Sequence, residues 1–359
     1  MSRNEIVVSA AGSRKTTRIV KEAIAKSSEK IAITTYTIEN TEQIRVYFNE
    51  DIGFIPSNVQ IQTWFTFLLT EFARPYRNYL IDNRIESIAF VHGQSTRGIM
   101  KSNTKRYYFS ERKIYNDKLS EFIIRCNEAS SGLVIKRLEQ RFDVIYIDEA
   151  QDMAGYDLDL IELLFKSNID VVLVADPRQG TYSTNHSSKN KKYRKSSVIE
   201  KFSEWKLKGL CLLTNQTKCY RSNQSICDFA DFLYPNELKT ESVMNIRTEH
   251  DGVFVIRESQ VAQYQEKYKA QVLRFNKKSN SFGYPAQNFG VVKGKTFDRV
   301  LIIPTAKIRE FISTGNIDQV GDISKFYVAC TRARYSLAIV LADNLKISEK
   351  LGPLIQLFE

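Results

Sequence analysis

Short apolar runs recur along the chain, each ending in a polar or glycine-containing loop, and stretches with helical spacing separate them. Runs this short and this continuous read as strands buried on both faces, and their alternation with helices is the pattern of a parallel α/β sheet. Ile6 to Ser9, Ile31 to Thr35, Asp143 to Ile147, Asp170 to Ala175 and Cys211 to Thr214 form one set, with a helix over Thr16 to Ala25 after the first strand. Val253 to Ile256, Val272 to Phe275, Val300 to Ile303 and Ser336 to Leu341 form a second set. The predicted fold class is therefore α/β with two parallel-sheet lobes, the first over 1–205 and the second over 206–359. Between Pro75 and Cys126 the periodicity weakens and Arg, Lys and Tyr accumulate, which predicts an insertion in the first lobe. Asn185 to Ser197 is basic and polar and predicts a mobile surface loop.

Composition narrows the class. With 359 residues, 43% hydrophobic and 26% charged, the chain has enough apolar material for two cores, and neither disorder nor a disulfide-held miniprotein fits. Its longest apolar stretches, such as Val171 to Ala175 and Leu337 to Ala342, fall far short of the roughly 20 residues of a membrane helix. Met1 to Ser9 lacks the apolar stretch of a secretory signal, so the expectation is an intracellular, cytoplasmic protein without a membrane span. Lys and Arg number 52 against 41 Asp and Glu, a net charge of +11 that favours a polyanionic partner or an anionic surface without choosing between them. The five cysteines lack C-x-x-C spacing and the three histidines are far apart, so reduced structural thiols are the reading. Three evenly spaced cysteines, Cys211, Cys219 and Cys227, leave a metal cluster as the minor alternative.

Candidate chemistry sits where the strands end, the edge at which open α/β sheets bind ligands. Ser9 to Thr16 joins a strand to a helix, the context of a phosphate-binding loop. Backbone N–H groups of Gly12, Ser13 and Arg14 would cradle phosphate oxygens, Lys15 would reach the outer phosphates, and the Thr16 hydroxyl would bind Mg²⁺. Ser9 and Arg14 depart from the strict G-x-x-x-x-G-K-[ST] pattern, Arg14 more seriously, because glycine permits torsions that arginine resists. The strand before Asp148 delivers two carboxylates: Asp148 to hold Mg²⁺ and Glu149 to polarise an attacking water.

These residues, with six further motifs in order, resemble superfamily 1 helicases of the UvrD/Rep type. Asp148 to Asp152 reads DEAQD; Ile33 to Thr37 and Gln62 to Phe67 resemble the two motifs that follow the phosphate loop. Ala175 to Tyr182 is similar to GDPxQxIY, Cys219 to Ser222 to NYRS, Val292 to Phe297 to KGLEF, and Tyr327 to Arg334 to YVALTRAR. The resemblance implies two RecA-like lobes with a nucleotide cleft between them, binding ATP and Mg²⁺. It implies that Gln179 senses the γ-phosphate, that Arg221 and Arg332 act as cationic fingers, and that Tyr220 stacks on adenine. Tyr36, Trp64 and Tyr182 would face single-stranded DNA, with core burial as the competing reading for each. Phe65 replaces a histidine, Thr184 a second aromatic and Thr296 a glutamate. The chain begins at its first strand, leaving out the upstream glutamine motif that reads adenine. The roughly 70 residues between Arg221 and Lys293 are too few for the large second-lobe subdomain, so a compact core is expected. The implied function is an ATP-dependent translocase or helicase on single-stranded DNA, or on DNA with a single-stranded end, moving 3′ to 5′. The alternative is a nucleotide-gated, DNA-sensing regulatory subunit of a nuclease or defence complex, with slow or no hydrolysis. Proteins of this kind occur in DNA repair and in phage defence, and nothing in the sequence separates the two.

Overall fold

The computed structural model describes residues 4–359, so Met1 to Arg3 of the expected first lobe lie outside the described residues. It is an α/β protein with two six-stranded sheets, the RecA-like class. In the first sheet the spatial order is Val59–Thr63, Ile31–Thr35, Val144–Asp148, Asp170–Ala175, Glu5–Ser9 and Leu212–Gln216. The registers from Val59–Thr63 through to Glu5–Ser9 are all parallel. Ile31–Thr35 and Val144–Asp148 are buried at every position, which is why their apolar residues run consecutively rather than alternating, with polar residues only at the C-terminal ends.

Helices cover both faces of this sheet. Lys15–Ala25 buries Ile19, Val20 and Ala23, neighbours on one helical stripe, against Val7, Ile33 and Tyr146. Ile38–Ile52 starts where the Thr37 hydroxyl accepts from Asn40 N and ends at Gly53, whose φ of +83° suits glycine. The opposite face gathers Trp64, Phe122, Leu158 and Trp205. Each such side chain contributes on the order of 2 kcal/mol through burial.

The region expected as an insertion is built into this second core. Tyr107, Tyr108, Phe109 and Ile114 join the same apolar cluster as Trp64, and the helix Leu119–Ala129 contributes Phe122, Ile123 and Cys126. Arg, Lys and Tyr obscure the periodicity because residue type does not follow burial here: Tyr107 and Tyr108 are core and Lys118 is buried on Tyr107, whereas Tyr79 and Phe90 are exposed. The segment 185–197 also differs from a free loop. Asn185 Nδ2 donates to Asp117 O at 3.1 Å, Asn190 Nδ2 donates to Gly155 O at 2.9 Å, and Tyr193 is buried with its hydroxyl on Glu204. Its polar composition supplies tethers to the protein as well as solvated side chains.

The second sheet runs Ala286–Asn288, Gln271–Arg274, Phe297–Ile303, Ala333–Leu341, Gly252–Arg257 and Gln356–Leu357, parallel throughout. Its two faces carry separate cores, one around Phe229, Phe311 and Phe326 and the other around Phe254, Tyr264 and Val340. The chain divides into two units. One holds residues up to Val8 and Lys15–Asn215; the other holds Ser9–Arg14 and Gln216–Glu359. The division falls later than residue 206 because Leu212–Gln216 extends the edge of the first sheet and Cys211 belongs to its core.

Asn4 staples this edge. Its Nδ2 donates to Phe165 O and Leu210 O, each at 2.9 Å, and its Oδ1 accepts from Val171 N at 3.1 Å. Asn4→Ala removes all three bonds and leaves buried main-chain groups without them, so unfolding free energy should drop by about 2–4 kcal/mol. Urea titration should show a lower midpoint at unchanged slope. A drop under about 0.5 kcal/mol would mean that water restores the lost bonds.

Candidate functional site

The helix Lys15–Ala25 begins immediately after the loop from Ser9, so its first turn presents Lys15 and Thr16. Lys15 Nζ lies 3.3 Å from Glu149 Oε1, and the Thr16 hydroxyl donates to Asp148 Oδ2 at 2.7 Å. Asp148 is the last residue of its strand, and its Oδ1 accepts from Glu149 N at 2.9 Å. Glu149 turns away with φ of +58°, a conformation unusual for a residue with a Cβ. Burial, and then the neighbouring Glu149 carboxylate, push the Asp148 carboxyl up to about 6; Lys15 and the Thr16 hydroxyl act in the opposite direction.

These side chains suit a magnesium–nucleotide. Among the described residues no group of three or more His, Cys, Asp and Glu side chains could hold a metal. Thr16 and Asp148 offer one hydroxyl and one carboxylate, a set that magnesium completes with phosphate oxygens and water. In the preceding loop the Ser13 hydroxyl is buried without a hydrogen-bond partner, and Gly12 has φ of +74°. A Cβ at Gly12 would come within 2.7 Å of Arg221 Cβ, so only glycine fits there.

Gln179 is buried and donates through Nε2 to Asp176 Oδ2 at 2.8 Å. Asp176 N in turn donates to Gln151 Oε1 at 3.1 Å, and Gln151 Nε2 donates to Glu149 Oε2. Gln151 was not singled out from the sequence; its place in DEAQD was the available signal.

Within the second unit, Tyr220 N donates to Gly12 O at 2.9 Å, and the Arg14 guanidinium lies 4.3 Å above the Tyr220 ring. Arg14 has φ of +61° and is exposed, so it takes the left-handed conformation that glycine would adopt without strain and adds a cation–π contact. Arg221 Nη1 donates to Thr331 O at 3.0 Å. Arg332 is only 1% exposed, and it donates to Val328 O, Lys295 O and the Thr331 hydroxyl. It braces the loop around Lys295 as it stands. All five cysteines are buried free thiols. The Cys227 thiol donates to Ser222 O and Ser222 N donates to Cys219 Sγ at 3.4 Å; the nearby Cys227 thiol first, and the Ser222 and Arg221 backbone N–H groups, draw Cys219 down to about 6 against the opposing effect of burial.

The three aromatics expected to face nucleic acid separate into two kinds. Tyr36 and Tyr182 come together, ring centroids 5.8 Å apart, with Tyr182 36% exposed. Trp64 is 0% exposed inside the first core, so it presents no face to a base. Its position directly after the strand Val59–Thr63 turns it inward at the start of a helix. Phe90 is exposed beside the two tyrosines, and the buried Phe65, 6% exposed, lies between it and Tyr36. Phe65 packs edge-on against Tyr36 at 5.9 Å and against Phe90 at 5.4 Å, and Phe90 is 69% exposed. Phe90 lies where the sequence has no periodic signal. Thr184 is buried, its hydroxyl donating to Asp157 and accepting from Ala154 N.

A profile of the viral superfamily 1 RNA helicase core domain matches residues 102–341, more than half of the chain. The chain belongs to this family. The matched span of the helicase core includes Asp148 to Asp152, Gln179, Arg221 and Arg332, while the phosphate loop, Tyr36 and Trp64 precede it. No curated protein matches the chain. Among solved structures, the helicase of PRRSV is similar at 15% identity and a TM-score of 0.48, covering 94% of this chain and 52% of that one. The arterivirus nonstructural protein 10 helicase matches at 13% identity, TM-score 0.48, with 99% and 62% covered. Its complex with DNA matches at 14% identity, TM-score 0.49, with 98% and 63% covered. This helicase core thus spans between about half and two thirds of the length of those structures. No helix among its described residues is long and apolar enough to cross a membrane.

The buried Asp148 carboxyl generates a pH prediction. The folded state holds its proton up to about pH 6 while the unfolded chain releases it near 3.8, so the folded state binds more protons between these values. Stability from this group is therefore present below about pH 4 and is lost as pH rises to 6. Asp148→Asn should raise the melting temperature of the nucleotide-free protein at pH 7, with the gain fading by pH 4. Melting curves across that range check it; a gain independent of pH would assign the effect to packing.

Proposed function

We propose that this helicase core is an ATP-driven, Mg²⁺-dependent motor that tracks along single-stranded DNA, or DNA with a single-stranded end, 3′ to 5′, using its motifs in the UvrD/Rep manner. The observation that carries the reading is the pairing of Lys15 with Glu149 and of Thr16 with Asp148, between the first turn of the helix Lys15–Ala25 and the end of the strand Val144–Asp148. In this reading Lys15 moves to the β and γ phosphates, Thr16 and Asp148 hold Mg²⁺, and Glu149 polarises the attacking water. Magnesium would supply charge neutralisation of the phosphates. Gln179 reports the γ-phosphate; Arg221 and Arg332 supply positive charge to the transition state, Arg332 after leaving the carbonyls it now holds. Tyr220 is the platform for the base, and Tyr36 and Tyr182 stack on the strand, joined by Phe90.

Steady-state ATPase assays with and without single-stranded DNA, and in parallel with single-stranded RNA, test this reading. Strand should stimulate turnover by about 10-fold or more, since binding that favours the competent state raises its population. Glu149→Gln should lower turnover about 100-fold or more while nucleotide still binds, and Lys15→Ala should weaken both. Stimulation by RNA alone would reassign the substrate. No hydrolysis with either strand would sink the motor reading.

A second reading is favoured by one observation: Arg14 covers the Tyr220 ring from a left-handed backbone position. In this reading the protein is a nucleotide-gated, strand-sensing subunit that regulates a nuclease or defence partner with slow hydrolysis. Arg14→Gly separates the two. It relieves about 1 kcal/mol of backbone strain and uncovers the ring, so a motor should bind nucleotide as before and turn over equally fast or faster. If Arg14→Gly abolishes turnover in a folded protein, Arg14 is a participant and the loop is a specialised one.

A further inference from the structure

We propose that Gln151 is the positioning residue for the water-activating carboxylate, holding Glu149 in place while Lys15 is transferred to the nucleotide; the inference rests on the reading of Glu149 as general base. Gln151 is 1% exposed, and both ends of its carboxamide are committed. Asp176 N–H is a donor, so the atom facing it at 3.1 Å must be the carbonyl Oε1. That fixes the amide nitrogen toward Glu149 Oε2, where it donates. Among side chains of this length a carboxamide accepts from one side and donates to the other in its only charge state, whereas an ionised glutamate only accepts. A glutamate here would set two carboxylates against each other, and a methionine would leave both partners without their bonds.

The two oxygens of Glu149 therefore have different companions. Oε1 lies beside Lys15, and Oε2 is held by Gln151. When Lys15 turns to the phosphates, that cation leaves Oε1, and Oε1 is the oxygen assigned to accept the proton from water. Oε2 keeps its bond, so the carboxylate stays in the rotamer it already has. This matters because Glu149 sits at φ of +58°, where the backbone alone offers a poor anchor. A base misplaced by about an ångström costs roughly 100-fold in rate, so a single fixed bond has a large effect on turnover.

Gln151 also connects the base to the loop that carries Gln179. Asp176 receives Gln179 Nε2 at 2.8 Å and the Arg178 backbone and side chain, each at 3.2 Å, on its carboxylate. Its own N–H is the group bound by Gln151. The position of this loop is thereby transmitted to Glu149 through one buried side chain.

The experiment is a double-mutant cycle in the full chain, read by strand-stimulated kcat and by nucleotide Kd measured separately. Gln151→Met should lower kcat about 10-fold or more and change Kd by less than about 3-fold. Gln151→Glu keeps the acceptor for Asp176 N–H but removes the donor, and should lose at least as much; it stands in if Gln151→Met does not fold. In the Glu149→Gln background either substitution should change the residual turnover by less than about 2-fold, because a residue acting through Glu149 has nothing left to position. Equal losses in both backgrounds would make Gln151 a structural residue, and wild-type kcat in Gln151→Met would remove it from the reaction; either overturns the proposal. If the wild-type protein itself has no turnover, the reading of Glu149 as a base fails and this inference falls with it.

Discussion

Two adjacent carboxylates, Asp148 and Glu149, are buried at the end of a parallel strand, and the first unit is organised around making that tolerable. Buried like charges next to one another are costly, and an ion in an interior position persists only when paired and hydrogen-bonded. The structure divides the task. Asp148 accepts from Thr16 and from the backbone of Glu149, while Glu149 swings to Lys15 and Gln151. The positive φ of Glu149 is what aims the two carboxylates at different partners from consecutive positions. Every one of these partners depends on the sheet order, since Val144–Asp148 lies next to Asp170–Ala175, and that strand next to Glu5–Ser9. The three strand ends bring Asp148, Asp176 and the loop toward Lys15 together from distant parts of the sequence.

The sequence carried this arrangement unusually openly, and the reasons are physical. Strands buried on both faces leave continuous apolar runs, and the residues at their ends are the only polar groups the runs deliver, so Lys15, Asp148 and Asp176 stood out. The aromatic surface was less legible. A tryptophan directly after a strand has the same composition whether it faces the core or the solvent, and only packing put Trp64 inside. Phe90 was invisible for the opposite reason, because it lies in a segment whose core aromatics, Tyr107, Tyr108 and Phe109, follow no helical or strand period. The basic stretch 185–197 was misleading because composition reports solvation and says nothing of tethers such as Asn185 to Asp117.

The two arginines expected to share one role differ sharply in surroundings. Arg332 is buried, and its guanidinium donates to two carbonyls and a hydroxyl of its own unit. Arg221 is half-buried and donates to Thr331 O beside other interactions. A charge held by that many bonds is expensive to move, so any contribution of Arg332 to a reaction carries with it the rearrangement of Lys295 and Thr331.

Arg14 illustrates how a departure from a motif can be accommodated by its neighbours rather than by the motif itself. An L-residue in the left-handed region costs on the order of 1 kcal/mol, and a cation over a partly exposed ring returns about 0.5–1 kcal/mol. The Tyr220 N–H to Gly12 carbonyl bond keeps ring and loop in register, so the cation–π contact is available without further ordering. Backbone strain and side-chain contact thus nearly cancel, and the loop retains the geometry that a glycine would have taken. The same near-cancellation means that the stability of this protein is a poor guide to whether Arg14 matters, and that its influence lies in what the guanidinium covers.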